Sequence, residues 1–93
     1  MKETKDDKQT IDLLVKVPTL PQPWPKSFPK TAKVKEVIDT VVSEFHFAPN
    51  GNYDLRLESN PTEPLDPKRP LVSYHLTDGT VLIFSDLGIG VNG

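Results

Sequence analysis

The groups best placed for chemistry in this 93-residue chain sit at its end. The last nine residues, SDLGIGVNG, carry glycine at 88, 90 and 93. Glycine permits any backbone angle and leaves a terminal carbonyl unhindered, so the Gly93 carboxylate is a sterically open group on a segment too glycine-rich to hold a fixed shape alone. Eight or so residues beyond the last strand reach about 25 Å at roughly 3.3 Å each, enough to clear a small domain. Gly88, Gly90, Val91 and Asn92 lie on this segment, with Ile89 and Val91 its bulkier members. The plain alternative is a glycine-rich end with no chemistry.

Elsewhere such groups are sparse. Without cysteine there is no disulfide framework, no thiol nucleophile and no thiolate metal site, and a reducing compartment is expected. His46 and His75 are too far apart in sequence to suggest a metal pair, and Ser73 has no histidine at motif spacing. The expectation is a protein that is not an enzyme and needs no cofactor. With 11 basic and 13 acidic side chains the net charge is -2, which gives no general attraction to nucleic acid or to an anionic membrane. Apolar runs fall far short of the roughly 18 residues that cross a bilayer, and residues 2–10, KETKDDKQT, have no apolar signal core. A soluble, cytoplasmic protein is expected.

The elements that position the end are read from periodicity. Residues 33–45, KVKEVIDTVVSEF, place Val34, Val37, Ile38, Val41 and Phe45 on one helical stripe. Thr31 is the expected N-cap, and the run of Pro49, Asn50 and Gly51 ends the segment. Valine and isoleucine are poor intrinsic helix formers, so this helix needs a surface to lie on. Residues 10–17 alternate as a half-buried strand, with Ile11, Leu13, Val15 and Val17 on one face. A second short strand is expected at 26–28, a third at 53–58, and a last one at 80–84, TVLIF, apolar on both faces and therefore central. Residues 18–25, PTLPQPWP, are too rich in proline to pair centrally. Trp24 within them is either a lid on the core edge or an exposed partner anchor. Residues 59–70 read as a polar loop tethered by Leu65, and 71–76 as a compact turn before Asp78-Gly79. The layout is α+β: a mixed sheet of four to five strands packed on one helix. A mobile arm is expected at 1–9, the domain at 10–85 and the tail at 86–93.

Over residues 11–93 the chain resembles ubiquitin and its relatives, the β-grasp fold. IDLLVKV resembles the family's opening strand, VKEVIDTVV carries its spacing of inward aliphatics, and residues 65–84, LDPKRPLVSYHLTDGTVLIF, are the most specific match. The nearest in character are bacterial ubiquitin-like modifiers, encoded beside activating-enzyme, conjugating-enzyme and JAB-type peptidase homologues. Two departures stand out: a long proline-rich loop replaces the first hairpin, and Asn92-Gly93 replaces a terminal Gly-Gly. The resemblance implies that partner enzymes activate the Gly93 carboxylate and join it to protein targets.

If the inward residues of the strands are 11, 13, 15, 55, 57, 81 and 83, then Leu14, Arg56, Leu82 and Phe84 share the outer face. A contiguous apolar patch there would mark a partner surface, and by resemblance it is where ubiquitin presents its recognition patch, with Arg56 in place of the central aliphatic. The proline-rich loop or the tail could instead cover it. Lys26, Lys30, Lys33 and Lys35 crowd the helix start, where the dipole disfavours cations. They are either a solvated face or a contact for an acidic surface. Three readings follow: a conjugated modifier, a non-covalent ubiquitin-like interaction domain, and a sulfur carrier.

Overall fold

A computed structural model describes residues 9–88. Among these residues five strands and one helix follow in the order β1 (Thr10–Lys16), β2 (Trp24–Pro29), α1 (Val34–Glu44), β3 (Tyr53–Leu57), β4 (Asn60–Pro64) and β5 (Thr80–Asp86), with a 3-10 turn at Leu71–Tyr74 between the last two strands. The strands form one mixed sheet in the order β2-β1-β5-β3-β4. The last strand is central, parallel to β1 and antiparallel to β3. Among the described residues no helix is long and apolar enough to cross a membrane.

The core lies between one face of the sheet and the valine stripe of α1. Ile11, Leu13 and Val15 of β1, Leu55 of β3, and Leu82 and Phe84 of β5 are buried against Val34, Val37 and Val41. Fully burying such a side chain contributes about 1.5–3 kcal/mol, which outweighs the helix penalty of roughly half a kcal/mol per valine. Phe84, Phe47 and Tyr53 close one end of this core as a ring cluster with centroids 5.2–5.8 Å apart. Trp24 takes the lid position: it is partly buried and meets Phe45 edge-on at 5.0 Å.

Three local expectations are corrected. The N-cap of α1 is Lys33 and not Thr31. Lysine cannot accept from the first turn, so the cap is built differently: the Lys33 N–H donates to Glu36 Oε2 at 3.0 Å, while the N–H groups of Val34 and Lys35 donate to the carbonyls of Arg69 and Pro67. Distant main chain does what a capping hydroxyl would do. Second, residues 59–70 are not wholly loop, because β4 pairs there with β3 through a register shift at Arg56/Leu57. NPTEP is exposed throughout and carries two prolines, so neither alternation nor propensity announced it. Leu65 is nonetheless the buried tether. Third, β2 begins at Trp24, two residues before the expected strand.

Proline also decides what the sheet edges can do. The Lys30 N–H donates to the Gln9 carbonyl at 2.8 Å, and Thr10 faces Pro29 in the register. In an antiparallel pair the amides alternate in direction, so positions 25, 27 and 29 of β2 turn their amide positions outward. Two of the three are proline, and Ser27 holds the one outward donor on that edge. On the far side the Leu65 N–H donates inward to Leu55, which turns Pro64 outward. Both edges are thus poor templates for an added strand.

Beyond β5 the ladder continues briefly, with the Leu87 N–H donating to the Asn52 carbonyl at 2.8 Å and the Asn52 N–H to that of Gly88 at 2.9 Å. Gly88 adopts φ 88, the left-handed region that favours glycine.

Candidate functional site

The outer face of the sheet is organised by β5. Its phase is set at the preceding turn, where the Asp12 N–H donates to Asp78 Oδ1 at 2.9 Å and the Gly79 N–H donates to the Asp12 carbonyl at 2.8 Å. Gly79 has φ 88, which explains glycine there. This clasp places Thr80 beside Leu13, hence Val81 beside Leu14 and Leu82 beside Val15.

The expected patch is corrected by one residue on this strand. Leu82 and Phe84 are inward, 0% and 1% exposed, while Val81 and Ile83 are only half-buried and turn to the outer face. A strand apolar on both faces has no sequence signature of phase, and a one-residue slip exchanges every side chain. Leu14 and Arg56 do lie on the outer face, as expected. Pro25, Leu14 and Val81 make one cross-strand row; Lys16, Ile83 and Arg56 make the next. The aliphatics on the outer face are therefore Leu14, Val81 and Ile83.

Charged side chains organise the same face. Lys16 on β1 pairs with Glu58, just past β3, so the two reach toward each other across β5 between Val81 and Ile83. Their aliphatic stems partly shield the apolar row beneath. Arg56 donates through Nη2 to Asp54 Oδ2 at 2.9 Å and through Nη1 to the Pro61 carbonyl at 3.0 Å, tying β3 to β4. The second carboxylate oxygen of Asp54 is buried without a hydrogen-bond partner, so this carboxylate depends on Arg56. At the end of the face toward Gly88, Lys16, Pro18, Leu20, Ile83 and Ser85 line an open groove of about 490 Å³.

Of the expected tail residues, Gly88 ends the ladder, and Gly90, Val91, Asn92 and Gly93 lie outside the described residues. His46 and His75 both take positive φ, 60 and 56. His46 closes α1 as a left-handed cap, with the Phe47 N–H returning to the Val42 carbonyl at 3.0 Å. No group of three or more potential metal ligands gathers among the described residues.

Neither a protein-family model nor a curated protein sequence matches the chain. Solved structures do. One, solved for molecular mimicry of SUMO that promotes DNA repair, is 23% identical with a TM-score of 0.70, covering 84% of this chain and 92% of that one. The ubiquitin-like domain of an Arabidopsis thaliana protein is 17% identical with a TM-score of 0.68, covering 100% and 94%. A chain of the pParkin-pUb-UbcH7 complex is 12% identical with a TM-score of 0.70 over 84% of this chain and 23% of its own length. The class is thereby defined: a mixed five-stranded sheet on one helix, the ubiquitin-like β-grasp fold.

Proposed function

We propose that this protein is a ubiquitin-like modifier whose Gly93 carboxylate is activated by partner enzymes and conjugated to protein targets. The observation that carries the reading is the run of the central strand out of the sheet at Asn52 and Gly88, beside an aliphatic face, followed by the glycine-containing segment IGVNG. A strand anchored on both flanks is a firm base from which a partner can draw a chain end. The modifier does no chemistry itself; it supplies a carboxylate that activating enzymes adenylate, conjugating enzymes transfer and JAB-type peptidases release.

The outer face favours a second reading, a non-covalent interaction domain. Leu14, Val81 and Ile83 form a partly shielded apolar strip framed by ion pairs, the composition of a modest protein interface. Mass spectrometry of cells expressing the tagged protein with its neighbouring enzymes separates the two. Adducts on target lysines that vanish on deletion of Gly93 support conjugation. Their complete absence, or their persistence without Gly93, overturns it.

A further inference from the structure

A second surface is built at the start of α1, on residues other than those of the outer face of the sheet. Segments 30–35 (KTAKVK) and 67–72 (PKRPLV) run side by side, cross-linked by main-chain hydrogen bonds from Val34 to Arg69, Lys35 to Pro67, Leu71 to Ala32 and Val72 to Lys30, all 2.8–3.0 Å. Those twelve residues hold five of the chain's 11 basic side chains and none of its 13 acidic ones. Lys35 pairs with Asp39 at 2.7 Å; among the described residues Lys30, Lys33, Lys68 and Arg69 have no carboxylate partner. Arg69 lies over the Tyr74 ring, its guanidinium carbon 4.1 Å from the ring centroid, and donates to Ser73 Oγ. Asp66 and Glu36 border the patch, but each is engaged by main chain, at the Lys68 and Lys33 N–H groups respectively. Val72, 47% exposed, stands on the same unit.

The helix amides beneath are already taken by carbonyls, so this is no pocket for a small anion. It is a plate of cations carried on cross-linked main chain, with one aliphatic side chain. We propose that the plate docks an acidic protein segment that carries an apolar anchor for Val72. A long nucleic acid fits the charge less well: the rest of the chain carries six basic against 13 acidic side chains, which would repel a phosphate backbone extending past the plate.

The test is an amide-shift titration of the full chain with a short peptide of aspartate and glutamate around one leucine, compared with its serine-for-leucine version and with oligothymidylate. Shifts confined to the two segments are expected. The pair Lys30→Glu and Lys68→Glu should weaken binding on the order of tenfold, with weakening at higher salt as well, and Val72→Ser should erase the preference for the leucine peptide. The pair Lys30→Gln and Lys68→Gln serves if the reversal disturbs folding, judged by amide dispersion. Shifts elsewhere, no shift at millimolar peptide, indifference to the lysine changes, or equally tight oligothymidylate binding would each overturn the assignment.

Discussion

β1 and β5 lie side by side, parallel and hydrogen-bonded, yet they are specified by different means. In β1 an apolar residue alternates with a more polar or half-exposed one, so its inward face is written in its own side chains. In β5, Val81, Leu82, Ile83 and Phe84 are interchangeable by hydropathy, and the inward pair is selected from outside, by the Asp12 clasp on Asp78 and Gly79 and by the pairing of Phe84 with Leu55. A central strand can afford a uniform composition because neighbours on both flanks decide its phase.

The contrast breaks most plainly at adjacent residues of β5. Phe84→Ala is expected to cost about 3–5 kcal/mol, since it removes a buried ring packed on Phe47 and Tyr53. Ile83→Ala next to it should cost under about 1 kcal/mol, as for most surface changes. Chemical denaturation of both variants measures the difference, and equal costs would show the faces to be wrongly assigned. A smaller effect is expected at Arg56→Ala, a loss of about 1 kcal/mol, because the Asp54 side chain is only 12% exposed and loses its ion-pair partner. Arg56→Lys should recover only part of it, having no fork to bridge Asp54 and Pro61 together. Full recovery would reduce the role of Arg56 to simple charge.

The smallest expected effect reports on the C-terminal end of β5, where Tyr53 faces Asp86, through pH. Burial, and next the charge of Asp86, raise the Tyr53 phenol above its ordinary 10.0. The unfolded chain therefore ionises first. Tyr53 contributes its full stabilisation below pH 10.0 and loses it as pH rises through the folded value. Ring resonances of Tyr53 should begin to move only above that pH, and Tyr53→Phe should flatten the alkaline decline in stability. A midpoint at or below 10.0 would place the ring in solvent.

The same physics explains what could be read in the sequence. The helix stripe, the inward face of β1, the central place of β5 and the Leu65 tether were legible because each rests on side chains that differ from their neighbours. The phase of β5 was not, and with it half of the outer patch was misread by one residue. β4 was hidden because NPTEP buries nothing and exists only as a partner to β3. The cap of α1 was hidden for a related reason, its acceptors being main-chain oxygens that no residue type marks. Lysines 30, 33 and 35 were visible as a cluster, whereas Lys68, Arg69 and Val72 join them only in the folded chain.

That borrowed cap has a bearing on how the protein is made. Val34 and Lys35 find their acceptors at Arg69 and Pro67, so a ribosome must deliver the chain past residue 69 before the first turn of α1 can be completed. Until then the valine-rich segment is a weak helix former without a closed start. The helix and the 67–72 segment should consequently gain protection from solvent exchange together, as one cooperative step.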